Sequence, residues 1–163
     1  MLKFLERVGL RRPRIPPLSP EMETVHRETI SWCRTQLSAF YGQSISQVPG
    51  ELDELHKQRI AAYAVGFLTG YVQVTGADVK WSGGRVEGLE MIGHMLVTSV
   101  VLAALFGAEN AADRLEHLPS MGNTLDDLVL LDRAGGADGI AHAEGRSKQY
   151  GGALLHYLRE NMA

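Results

Sequence analysis

Five carboxylate and histidine pairs stand three or four residues apart in this chain: Glu23 with His26, Asp53 with His56, Glu90 with His94, Asp113 with His117, and Asp138 with His142. On a helix that spacing puts both side chains on one face, where they can ligate a metal or form an acid and base couple. Four-helix di-iron proteins build such sites from two Glu-x-x-His pairs and two further glutamates, and only Glu23 to His26 has that spacing with a glutamate. Bundle-type metal hydrolases need two histidines a turn apart, and the sequence has no such pair. The pairs therefore read as solvated contacts worth a few tenths of a kcal/mol each, and neither a metal nor a cofactor is expected.

A row of Glu87, Glu90, His94 and Thr98 is the exception among them, because it follows one stripe of a helix with an apolar second half. Buried, it would make a polar pocket for a small molecule, with His94 or Arg59 offsetting the carboxylates; exposed, it is the solvent face of the helix's first half. The run RAGGADG, Arg133 to Gly139, has the glycines of a phosphate cradle, but no strand precedes it and no lysine follows at phosphate-loop spacing. It is expected to stop one helix and turn into the next. No motif for serine-based catalysis stands out.

The element expected to position these groups is the stretch from Arg85 to Phe106, apolar on every side from Met95 onward, as a helix enclosed by others would be. The uncharged run Met95 to Ala108 is 14 residues long, short of the roughly 18 to 20 that a membrane span needs. Ser19 and Pro20 form an N-cap and first-turn pair for a preceding helix that runs to about Tyr41, with Gly42 beyond its end. A second helix is expected from Glu51 to about Val74, stopped by Gly76. Within it Ala62, Gly66 and Gly70 recur every four residues, which predicts close approach by another backbone. Further helices are expected over about 108 to 118, 125 to 134, and 138 to 160, the last with a break near Gly145. No stretch of clean alternation argues for a sheet, so the fold class expected is an all-α, single-domain bundle of five to six helices around a central apolar helix at about 85–106.

The 163 residues suit one domain with one substantial core. Residues 1 to 14 carry five bases and one acid, +4, leaving 11 bases and 18 acids over the other 149, −7. Prolines 13, 16, 17 and 20 set this basic amphipathic tail apart from the body, giving a tail and linker over 1–18 and a helical domain over 19–163. Cys33 is the sole cysteine, so no internal disulfide can form and a reducing cytoplasm is the expected location. Scattered bases among more numerous acids argue against nucleic-acid binding. Carboxylates instead gather at helix starts, at Glu51, Asp53, Glu54, Asp126 and Asp127, while Trp81 lies in a glycine-bearing connection as a lid over the core or an anchor for a partner. These features favour a non-enzymatic protein-binding module whose acidic surface meets a basic protein partner, such as the product of a neighbouring gene, as in a toxin-neutralising immunity protein or a secretion adaptor. The alternative from another class is a helical metal- or small-molecule-binding enzyme that uses Glu87, Glu90 and His94.

Overall fold

A computed structural model describes residues 19–76, 90–118, 126–147 and 151–162, with the side chains of 90–94 excepted. Among the described residues the chain forms six helices and no strand: α1 Pro20–Tyr41, α2 Glu54–Thr75, α3 Glu90–Phe106, α4 Ala111–Glu116, α5 Asp126–Ala143 and α6 Ala153–Asn161. The bundle is all-α, as the hydrophobic patterning requires.

The ends of α1 follow from residue chemistry. The Ser19 hydroxyl accepts from Met22 N at 3.3 Å, Pro20 occupies the first turn with Glu21 and Glu23, and Gly42 takes φ +66° to close the other end. The second helix starts three residues later than expected. Asp53 is its N-cap, its carboxylate accepting from His56 N at 2.8 Å, and Glu51 falls in the preceding turn, where Leu52 N donates to Pro49 O.

The axis of the fold is the pair α2 and α5, which share the most extensive contact between any two helices. They run parallel: Gly66 faces the backbone of Asp132, and four residues on, Gly70 faces that of Gly136. From the other side Gly135 abuts Tyr63 and Phe67, and Gly139 abuts Phe67 and Tyr71. A Cβ on any of these four glycines would lie within about 3 Å of the other helix's main chain, so the contact is backbone on backbone. The glycine row in α2 thus does what its spacing predicts.

Two expectations are corrected by this pair. Gly135 and Gly136 do not stop a helix; α5 continues through the RAGGADG run to Ala143, because these glycines pack against α2. The run is therefore neither a turn nor a phosphate cradle. The helix enclosed on all sides is α2, buried continuously from Ile60 to Leu68 and again at Gly70. The more apolar α3 forms one wall, burying Val97, Val101, Leu102 and Leu105 while Val100 is exposed. Its last carbonyls are taken by neighbours, with Val48 N donating to Leu105 O at 2.7 Å and Arg34 donating to Ala104 O at 3.0 Å. The break expected near Gly145 is present, at φ +69°.

Helix α6 has Gly152 at its N-cap, a residue with no side chain to cap it. Its first amides are satisfied from elsewhere: Gly152 N donates to Gln36 of α1 at 3.1 Å and Ala153 N to Asp138 of α5 at 2.7 Å. The same Asp138 oxygen accepts from Tyr63 of α2 at 2.6 Å, and the Tyr63 hydroxyl accepts from Trp32 of α1 at 2.9 Å. Four helices meet in this one polar chain, set against the apolar core cluster. Burial, and then the charge of Asp138, push the Tyr63 phenol far above its ordinary value. The same two causes push the Cys33 thiol up to about 12, consistent with the buried, unreactive thiol its helical setting implies.

Candidate functional site

Two sets of polar side chains concentrate on the surface, and the first contains residues that the sequence singled out. At the start of α2, Glu54 is bound by Lys57 at 3.0 Å and by Arg114 from α4. These two cations hold its carboxyl below the usual range, Lys57 first. Asp53 approaches the His56 ring at 3.6 Å, and that ring meets the Tyr157 hydroxyl of α6 at 2.6 Å. Tyr157 also accepts from Arg59, which pairs with Asp127 at the start of α5. Burial raises the Tyr157 phenol, and Asp53 and Asp127 push the same way against Arg59. Asp53, Glu54 and Asp127 are thereby brought to one end of the bundle. Asp126 precedes Asp127 in the same turn, while Glu51 lies near enough to Tyr41 to add to the rise that burial gives its phenol.

Beside this network lies a cleft of about 350 Å³ whose walls include Leu130, Leu131, Ala134, Ala153 and Tyr157, with Asp127 and Glu160 at its rim. Leu130, 62% exposed, is the most exposed large hydrophobic residue among those described.

Trp81 and Glu87 lie outside the described residues, as do the side chains of Glu90 and His94, so the polar stripe has no described geometry. Arg59, a suggested partner for it, is committed to Asp127 and Tyr157. Of the other pairs, Asp53 and His56 approach each other as described, Glu23 and His26 border one groove along α1, and two diverge. His117 turns its ring to the Asp113 carbonyl at 2.7 Å, and Asp138 and His142 diverge to different partners. No group of three potential metal ligands occurs among the described residues.

The second set was not foreseen. Helix α5 ends in a tight reversal in which Arg146 N donates to Ala141 O and Gly145 N to His142 O, with Gly145 left-handed. The reversal carries Ser147 back onto the last turn, where its hydroxyl lies 3.0 Å from His142 Nδ1. Across the ring, His142 Nε2 is 3.6 Å from the Glu28 carboxylate of α1. Trp32, Phe67 and Tyr71 surround the imidazole at centroid distances of 5.1, 5.5 and 5.7 Å, fixing its plane. Ser31, Trp32, Thr35, His142 and Ser147 line a recess of about 260 Å³. Ser31 and Thr35 also border a larger groove along α1, of about 1130 Å³. Glu28, His142 and Ser147 come from helices far apart in sequence and from a loop, so no spacing could have linked them; only the i to i+5 step from His142 across Gly145 hinted at a reversal.

The fold and these sites define an all-α bundle with two separate polar surfaces. No family model, curated protein or solved structure matches the chain, and no helix among the described residues is long and apolar enough to cross a membrane.

Proposed function

We propose that the protein is a cytoplasmic protein-binding module that meets a basic partner with the end of the bundle formed by the starts of α2 and α5. The carrying observation is the layering of its ion pairs. Arg114 and Arg59 are 7% and 15% exposed while their partners Glu54 and Asp127 are 64% and 62% exposed. The cations lie underneath, so an approaching molecule meets carboxylates first, although each is formally paired. The Leu130 cleft, bordered by Asp127 and Glu160 together with Arg59 and His156, adds an apolar socket flanked by carboxylates, which suits a partner segment that carries leucine-sized and basic side chains together. Exposed carboxylates of this kind steer the encounter and raise the association rate more than they deepen the complex.

The test is association with a lysine- and leucine-bearing peptide, and with the product of the neighbouring gene, followed by biolayer interferometry at low and high salt. Asp126→Lys should slow association by roughly threefold to tenfold at low salt, and Leu130→Ser should speed dissociation by at least about tenfold, corresponding to about 1.4 kcal/mol. Both positions are exposed, so the fold should tolerate the changes. Binding that ignores both substitutions, or no binding at all, refutes the proposal and leaves the carboxylates as helix caps.

A further inference from the structure

The geometry points to a second activity, distinct from partner binding: Ser147, His142 and Glu28 form a nucleophile, base and orienting carboxylate for the hydrolysis of small acyl esters. The arrangement of nucleophile within hydrogen-bond reach of a base, and base oriented by a third group, is the one that activates a serine hydroxyl. Each part follows from the contacts described. With Glu28 facing Nε2, the neutral imidazole is favoured with its proton on Nε2, which leaves the Nδ1 lone pair directed at the Ser147 hydroxyl. The imidazolium formed when Nδ1 takes that proton is stabilised by the Glu28 charge. Three aromatic rings hold the imidazole in place, and His142 remains only part buried, so the ring is both positioned and reachable. The reversal at Gly145 accounts for Ser147 returning to the helix; closing α5 needs only the amides of Gly145 and Arg146, so the contact between Ser147 and the ring is additional to the cap.

The step balances within the site and water. Ser147 Oγ bonds to the ester carbonyl carbon as His142 Nδ1 takes the hydroxyl proton, and the carbonyl electrons move onto oxygen. Ser31, exposed and on the wall of the same recess, is the candidate hydroxyl donor to that oxygen. Collapse breaks the bond to the alkoxide, which leaves with the proton from His142. Water then attacks the acyl group, gives its proton to His142, and releases the carboxylic acid as the proton returns to Ser147 Oγ. The recess of about 260 Å³ takes the acyl group, and the adjoining groove along α1 takes the leaving portion.

The test uses the full chain with a fluorophosphonate probe and with p-nitrophenyl acetate. The wild-type protein should acquire one phosphonyl group, located on Ser147 by peptide mass spectrometry, and should release nitrophenol with an initial burst. Ser147→Ala should abolish both signals. His142→Gln should slow labelling by at least about 100-fold, in line with the loss of a positioned base, and Glu28→Gln, at a part-exposed site, by at least about tenfold. Thermal melts of the three variants report whether the fold is kept. No adduct on Ser147 of the folded wild-type chain overturns the inference whatever the variants do, and so does labelling that proceeds at the wild-type rate in a folded His142→Gln protein. Failure here leaves the acidic-end reading untouched, since that test probes Asp126 and Leu130.

Discussion

Gly135 and Gly136 are neighbours in α5, yet replacing each by alanine should move stability in opposite directions. Alanine in place of an interior helix glycine gains about 1 kcal/mol from backbone entropy if the new methyl group has room. At Gly136 a Cβ would have the Gly66 carbonyl oxygen 3.6 Å away, an ordinary van der Waals contact. Most of that gain should appear, raising the melting temperature by roughly 2 to 4 °C for a chain of this size. At Gly135 the Cβ would lie 2.9 Å from Phe67 N and 3.0 Å from the Tyr63 carbonyl carbon, and closer still to the Tyr63 oxygen. All three are main-chain atoms in the middle of the most enclosed helix, so no rotamer change relieves the clash. The two helices must separate, which also opens the contacts at Gly66, Gly70 and Gly139. Overpacking of this kind costs about 3 kcal/mol or more, leaving a net loss of about 2 kcal/mol after the entropic gain, or roughly 4 to 8 °C. Urea melts with an unchanged m-value, alongside thermal melts, measure both variants. If Gly135→Ala is as stable as the wild type, or if Gly136→Ala loses more than Gly135→Ala, the parallel close packing of α2 and α5 is wrong.

Asp138→Ala should be among the most damaging single changes outside the glycine pair, because it leaves the Tyr63 hydroxyl and the Ala153 amide without their shared acceptor; a loss of about 3 kcal/mol and a melt lowered by roughly 6 to 12 °C are expected. Cys33 should resist iodoacetamide in the native protein and react only as the protein unfolds, as a stopped-time alkylation series would record. Its ionisation is raised in the folded state from 9.0 to about 12, and Tyr63 is raised likewise, so their contribution to stability is full below pH 9 and declines as pH climbs toward 12. Alkaline denaturation curves for the wild type and Cys33→Ala should diverge in that window, and parallel curves would refute the assignment. Ser19→Ala removes the α1 cap and should cost about 1 kcal/mol by urea titration.

What the sequence disclosed depended on whether the physics was local. The limits of α1 were legible because Ser19, Pro20 and Gly42 act on their own neighbours. The glycine row of α2 was legible as a close approach because three small residues at one spacing have few other uses. The glycines of α5 misled, since Gly135 and Gly136 look alike whether they end a helix or admit another backbone, and only the partner α2 decides. Hydropathy also misplaced the centre: α3 is the most apolar helix, but α2 earns enclosure through small residues, Ala61, Ala62, Ala64, Gly66 and Gly70, that let neighbours close in. Of the candidate sites, the acidic helix starts were visible because a first turn attracts carboxylates. Their arginine partners Arg59 and Arg114 were not, and neither was the meeting of Glu28 with His142, 114 positions further along the chain.

The parallel course of α2 and α5 has a consequence for how the chain reaches its native state. Antiparallel neighbours can dock through a short turn, whereas Gly66 meets Asp132 only after everything between them, α3 and α4 included, has been routed back to the starting end. That contact has a sequence separation of 66 residues, and a glycine seam offers little apolar surface to reward an early, imprecise encounter. Folding should therefore be slower than for an up-and-down bundle of equal length, with the loop-closure entropy met before the seam locks. Alanine at Gly135 should then act mainly on the unfolding rate, since the tight fit that it disrupts forms after the principal barrier has been crossed.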